Sequence, residues 1–258
     1  MVTSTNPFDT DEMAAGYARS RPAVHPWVMR EVWRATGAMS PVRRALDVGC
    51  GAGISTQALA GLAIHSVGIE PNEAMLAWSH VTAPGAAFAA GSAEALPVRS
   101  GSVDLITAAG SLNYVRLEPF FTEAARVLSP EGRLVAYDFS PGRSFREQCG
   151  LDSWFAAFIE RYPRPASEAR ELNPEILAGL DSRFSVEVSR SFEMGLELSR
   201  EFYLDYMMTE TNVAAALRRG IERDDIRRWC ADTLEPVWQS GAKEVLFRGY
   251  FICMRLAG

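Results

Sequence analysis

The feature that most constrains this chain is an apolar run that meets alternating glycines: Ala45-Leu46-Asp47-Val48-Gly49-Cys50-Gly51-Ala52-Gly53. Residues 45–48 read as a strand and residues 54–60 as a helix, so the glycines fall on the turn between them. Glycine lacks a Cβ and accepts positive φ, so such a turn lets a ligand lie against bare backbone at a helix N-terminus. The dinucleotide-binding form of this turn, Gly-x-Gly-x-x-Gly/Ala, needs a third small residue for close helix packing. Counted from Gly49 that place is Ile54, and counted from Gly51 it is Thr56. The dinucleotide pattern fails in both registers.

The next apolar run, Ser66-Val67-Gly68-Ile69-Glu70, ends in an acid where a ribose-binding carboxylate belongs, about 20 residues after the first strand. Such a carboxylate accepts from both hydroxyls of a ribose, a group common to several nucleotide cofactors. Short runs with β character continue at residues 86–89, 103–107 and 133–138, separated by helical patterns at 72–80 and 119–128. In the last of these, Phe120, Phe121, Ala124, Ala125 and Leu128 recur at helical spacing, with Pro119 in the first turn. Alternating strands and helices predict a parallel sheet with helices on both faces. Past Pro141-Gly142-Arg143 the pattern changes to helical stretches at 152–162, 200–209, 212–219 and 223–238. Strands are predicted at 184–194 and 244–254.

Four motifs stand in order between Arg44 and Asp138. They are the glycine turn, Glu70-Pro71-Asn72-Glu73-Ala74-Met75, the pair Gly91-Ser92-Ala93-Glu94-Ala95-Leu96-Pro97 and Gly101-Ser102-Val103-Asp104-Leu105, and Arg126-Val127-Leu128-Ser129-Pro130-Glu131-Gly132-Arg133. Together they resemble class I S-adenosylmethionine-dependent methyltransferases of the small-molecule type, in the trans-aconitate and ubiquinone/menaquinone methyltransferase-like group. A further signature, Tyr17-Ala18-Arg19-Ser20-Arg21-Pro22-Ala23-Val24-His25-Pro26-Trp27, resembles the N-terminal entry of a subset of these enzymes.

The resemblance implies a Rossmann-like α/β fold with a seven-stranded, mostly parallel sheet whose final strand is antiparallel. It implies a helical lid over residues 1–43, a cofactor-binding core over 44–140, and a segment 141–258 that completes the sheet and carries a helical substrate cap. The implied cofactor is S-adenosylmethionine, leaving as S-adenosylhomocysteine, with no metal. Its expected contacts are Tyr17, Arg21, Asp47, Gly49, Cys50, Gly51, Gly53, Glu70, Pro71, Met75, Ser92, Ala93 and Ala109. In that scheme Asp47 orients the loop and meets the ammonium group, Arg21 pairs with the carboxylate, and Glu70 takes the ribose. Cys50 fills the loop, since nothing nearby in sequence activates a thiolate. Ser92 replaces the usual aspartate facing the adenine amino group, and Asn113-Tyr114 replaces a common His-Trp beside the reacting methyl group. That exchange removes the obvious general base, which leaves His25 as the histidine to test, with Asn113 and Tyr114 orienting the acceptor. Tyr17, Trp27, Trp154, Tyr203 and Tyr206 are the candidate substrate contacts.

Composition narrows the alternatives. With 26 Lys+Arg against 32 Asp+Glu, the 258-residue chain carries a net charge of −6, which argues against a nucleic-acid surface. No apolar run reaches the ~18 residues that span a bilayer, and the polar start is no secretory signal. The four cysteines lie far apart without a C-x-x-C, so neither a disulfide framework nor a zinc site is expected. The expectation is a cytoplasmic enzyme acting on a small molecule, without nucleic-acid or membrane partners. A cofactor-binding protein without turnover and an NAD-dependent oxidoreductase are the competing readings.

Overall fold

A computed structural model describes residues 10–164 and 169–257. Residues 1–9 of the expected lid, with 165–168 and 258 of the expected cap segment, lie outside the described residues. The elements, in chain order, begin with α1 (Asp11–Ser20), α2 (Val24–Ala35), β1 (Val42–Val48), α3 (Ile54–Gln57), β2 (Ala63–Glu70) and α4 (Glu73–Thr82). They continue with β3 (Ala87–Ala90), β4 (Val103–Ala109), α5 (Leu117–Val127), β5 (Leu128–Phe139), β6 (Ser144–Phe145) and α6 (Leu151–Arg161). The last are α7 (Pro174–Gly179), β7 (Phe184–Leu198), α8 (Arg200–Met207), α9 (Thr211–Arg218), α10 (Arg223–Trp238) and β8 (Lys243–Leu256).

The described residues divide into two compact units: a sheet unit of residues 23–139, 169–192 and 249–257, and a helical unit of 10–22, 140–164 and 193–248. Within the stretch expected to form the lid, α1 therefore groups with the helical unit and α2 with the sheet unit.

In the sheet unit the strand order is β3-β2-β1-β4-β5-β8. All neighbours are parallel except β5 and β8, which pair antiparallel from Arg133↔Arg255 to Phe139↔Gly249. The final strand is antiparallel, as the resemblance implies. Among the described residues there are eight strands against the expected seven, the two-residue β6 (144–145) of the helical unit included. The chain runs β1, β2, β3 towards one edge and then returns to place β4 on the other side of β1. The carboxyl ends of β1 and β4 thus diverge at a topological switch point, where open α/β sheets bind their ligands.

Local sequence explains these elements. On α5, Leu117, Phe120, Phe121, Ala124 and Val127 are buried and lie three or four positions apart, on one face. Phe121 packs edge-to-face on Phe184, with centroids 5.4 Å apart. Each large apolar side chain buried this way contributes roughly 1.5–3 kcal/mol. α4 starts where the Asn72 side chain accepts from Met75 N at 3.0 Å, a cap worth ~1 kcal/mol. β5 begins directly after α5 and bulges against β4, its register stepping from Val103↔Leu128 to Leu105↔Arg133. A Cβ on Gly132 there would sit 3.0 Å from the carbonyl oxygens of Ser129 and Val103.

The helical unit is held by aromatic packing. Trp154 and Phe158 of α6 stack at 5.7 Å, and Trp154 stacks on Trp229 of α10 at 6.3 Å. Tyr203 of α8 meets Trp238 at 5.2 Å. β6 pairs antiparallel with the start of β8 through Ser144↔Leu246 and Phe145↔Val245.

Candidate active site

The glycine turn is fixed to β2 from below. Gly49 N and Cys50 N both donate to the Ile69 carbonyl, at 2.8 and 3.1 Å. Gly49, Gly51 and Gly53 have φ of 70°, 53° and 87°, in the left-handed region that favours glycine. A Cβ on Gly49 would lie 2.4 Å from Ser111 Cβ, whose Oγ in turn donates to the Val48 carbonyl at 2.7 Å. A Cβ on Gly53 would approach the Ser79 backbone at 3.0–3.1 Å. At Gly51 it would meet only the flexible end of Met75, at 3.2 Å. Packing therefore closes the two outer glycines, while the middle one presents open backbone.

Asp47 faces inward. Its Oδ2 accepts from Ser55 Oγ (2.6 Å) and Thr56 Oγ1 (2.7 Å), and its Oδ1 accepts from Thr107 Oγ1 (2.8 Å). The residue is 0% exposed, and burial raises its pKa against these three donors. The carboxylate thus ties β1 to the first turn of α3 and to β4. Both carboxylate oxygens are engaged within the sheet unit.

Glu70 ends β2 beside the same turn. Its Oε2 accepts from Gly51 N and its Oε1 from Asn72 N, both at 2.9 Å. Each oxygen keeps a second lone pair for a hydroxyl donor. Burial pushes this carboxyl above the usual range, the two N–H donors pull it down, and the nearby Asp47 adds to the rise. Pro71 is exposed beside it, and Met75 is buried in the first turn of α4. Cys50 is buried, and desolvation followed by the charges of Asp47 and Glu70 raises its thiol pKa strongly. A thiol so held is inert filler.

At the ends of β3 and β4, Ala93 is buried and Ser92 half-buried, its hydroxyl bonded to Glu94. Ala109 closes β4 opposite Tyr137. Beyond it Asn113 Nδ2 donates to Asp138 Oδ2 at 3.0 Å, and Asp138 Oδ1 accepts from Phe139 N at 2.8 Å. Burial raises the Asp138 pKa. Tyr114 is exposed. One residue earlier on β5, the Tyr137 hydroxyl lies 2.9 Å from His25 Nδ1. The His25 ring is buried edge-on against Tyr137 and Phe139, at 5.7 and 5.3 Å. Trp27 packs on Phe192 at 5.1 Å.

Five of the singled-out residues, Tyr17, Arg21, Trp154, Tyr203 and Tyr206, belong to the helical unit. Arg21 donates through NH1 to Glu210 Oε1 (3.2 Å) and through NH2 to the Thr209 carbonyl (3.3 Å), with its guanidinium 4.1 Å over the Tyr17 ring and 5.1 Å from that of Tyr206. Glu210 thus occupies the fork that the resemblance reserves for a cofactor carboxylate. Trp154 Nε1 donates to Thr233 Oγ1 (2.9 Å), and the Tyr203 hydroxyl to the Gly142 carbonyl (2.6 Å). Trp154, Tyr203 and Tyr206 are buried, and the polar atoms of the first two are spent within the unit.

Motif reading missed Thr107, Ser111, Tyr137 and Asp138. The only signal was position, since all four lie at or just beyond the carboxyl ends of β4 and β5. Among the described residues no group of three or more His, Cys, Asp or Glu is placed to hold a metal ion.

Strand order, bare-backbone turn and strand-end carboxylate define the class: an α/β fold built to hold a nucleotide-type cofactor at the switch point between β1 and β4. Residues 46–136 match the family described as "Methyltransferase domain". The chain is 32% identical over 155 residues to demethylmenaquinone methyltransferase of Beutenbergia cavernae, covering 57% of this chain and 62% of that protein. It is 39% identical over 128 residues to the ubiquinone/menaquinone biosynthesis C-methyltransferase of Methylobacterium nodulans, covering 43% and 50%. The chain thus spans less than two thirds of each of these relatives. A solved structure from Anaeromyxobacter dehalogenans, proposed to be a type II methyltransferase, superposes with TM-score 0.66 at 22% identity, covering 88% of this chain and 95% of that one. Residues 46–136 match a methyltransferase domain, and the fold of the chain is that of the Anaeromyxobacter dehalogenans structure.

Proposed function

We propose that this protein transfers a methyl group from S-adenosylmethionine to a small-molecule acceptor. The observation that carries this reading is the Glu70 carboxylate, held by Gly51 N and Asn72 N at 2.9 Å beside the open backbone of the methyltransferase domain. In this reading each Glu70 oxygen accepts one ribose hydroxyl through its remaining lone pair. The turn Gly49–Gly53, with Cys50 as filler, passes beneath the cofactor, and Asp47 keeps the turn in place. Pro71 and Met75 supply its apolar support, and Ser92, Ala93 and Ala109 line the adenine side.

Bound S-adenosylmethionine supplies a methyl group made electrophilic by its sulfonium, which the acceptor displaces in line. The protein then has to align the acceptor and exclude water, which are large terms in such a reaction. Asp138 fixes the Asn113 amide, so Asn113 and Tyr114 orient the acceptor from the end of β4. His25, enclosed by Tyr137 and Phe139, is the residue to take a proton where the acceptor is a hydroxyl. The names of two relatives make quinone-type acceptors, methylated at carbon, the first class to assay.

The test is formation of S-adenosylhomocysteine by the purified protein with a panel of quinols, phenols and carboxylic acids. Turnover that depends on acceptor and is lost in Glu70→Ala supports the proposal. Tight cofactor binding with no turnover on any acceptor would point instead to a binding protein.

A further inference from the structure

The arginine that the N-terminal signature singles out is already paired, and another that no motif singles out is not. Arg143 lies in the helical unit with its guanidinium 4.6 Å over the Phe155 ring. Among the described residues it touches no hydrogen-bond acceptor and no carboxylate, and its Nε is buried without a partner. A guanidinium stacked on an aromatic face is fixed in plane, which leaves its N–H edge directed outward as a fork. A fork of that kind matches the two oxygens of a carboxylate or phosphate.

Its surroundings make the lack of a counter-charge costly. The charged and titratable groups facing Arg143 are Arg164, Glu210, Tyr206 and Tyr203. Glu210, the carboxylate acting on Arg143, is engaged by Arg21 at 3.2 Å. Arg164 is held by its Nε on Asn212 Oδ1 at 3.3 Å, and Asn212 is itself fixed by donating to the Tyr162 carbonyl at 2.6 Å. The terminal nitrogens of Arg164 have no protein partner among the described residues. Burial, then repulsion from Arg164, lowers the Arg143 pKa. A half-buried guanidinium whose Nε has no partner is completed by an anion.

We propose that Arg143 and Arg164 form an oxyanion site in the helical unit that takes the carboxylate or phosphate group of a small molecule. The site stands on its own geometry and does not depend on the cofactor reading of Glu70.

The test is titration of the full protein with benzoate and, separately, with inorganic phosphate, followed by the 1H–15N signals of arginine Nε–H groups. A saturable shift of the Arg143 signal is expected, with affinity reduced tenfold or more in Arg143→Gln and several-fold in Arg164→Gln. A response to benzoate alone assigns a carboxylate ligand, and a response to phosphate alone assigns a phosphate. Arg164 is exposed, so its variant keeps the test valid if Arg143→Gln fails to fold. Glu70→Ala should bind either anion as the parent does. Shifts that never saturate, or that persist unchanged in both arginine variants, would overturn the proposal.

Discussion

Glu70 Oε2 accepts from Gly51 N at 2.9 Å, so the acid that ends β2 and the middle glycine of the turn after β1 form one unit. The same contact fixes the turn and aims the carboxylate. Charge-assisted hydrogen bonds to its oxygens are worth about 1.5–3 kcal/mol each.

The first prediction follows from that contact. Glu70→Ala should weaken S-adenosylmethionine binding at least tenfold, read by calorimetry. Binding should also depend on pH. Hydroxyl donors favour the ionised carboxylate, so a proton on Glu70 competes with the ligand. Burial already holds this carboxyl above the usual range. Affinity should therefore fall as pH drops through that raised value, while the unliganded fold gains from the proton there. Glu70→Gln should bind weakly and lose the pH dependence.

The glycines should separate by mechanism. Gly49→Ala places a Cβ 2.4 Å from Ser111 Cβ at a φ of 70°, so strain and collision add. Gly51→Ala meets only Met75 Cε at 3.2 Å and bears the left-handed strain of about 1–2 kcal/mol. Thermal melts should show the larger drop for Gly49→Ala. Cofactor binding should be lost in a Gly51→Val variant that keeps its circular dichroism. Normal binding by that folded variant would place the ligand elsewhere.

Asp47→Ala should act on stability. It strands the hydroxyls of Ser55, Thr56 and Thr107 in a buried place, where an unsatisfied group costs roughly 1–3 kcal/mol. Urea unfolding should show a loss of several kcal/mol. A double-mutant cycle with Thr107→Val should show strong coupling, and additive losses would refute the network.

For the transfer step, Asn113→Ala and Tyr114→Phe should lower turnover about tenfold through lost orientation. Asp138→Asn, which changes the partner of Asn113, should do the same without altering cofactor affinity. His25→Ala should cost more only if the acceptor must be deprotonated, since general-base catalysis supplies about 10²–10⁴-fold. A loss of that size, with a pH–rate profile rising near ~6.5, would replace the positioning mechanism by base catalysis.

The sequence by itself determined the sheet core and its loops. Alternating apolar runs set strands β1 to β5, and the turn positions at φ of 53–87° are glycines, which take that conformation without strain. These signals are local, because periodicity and backbone strain act within a few residues. Element ends were less legible: the helix expected over residues 54–60 stops at Gln57, and β5 starts five residues early through a bulge paired to β4.

Tertiary structure decided the orientation of the polar groups. Asp47 reads as a ligand contact in sequence, yet Thr107, sixty positions away, helps turn it inward. Arg21 reads as the partner of a cofactor carboxylate, yet Glu210 pairs with it across 189 positions. Asp138 and Tyr137 carried no motif, and only β5 brings them beside Asn113 and His25. A side chain's partner depends on long-range contacts that leave no periodic trace. Packing therefore determines which of the charges that the motifs single out stay available.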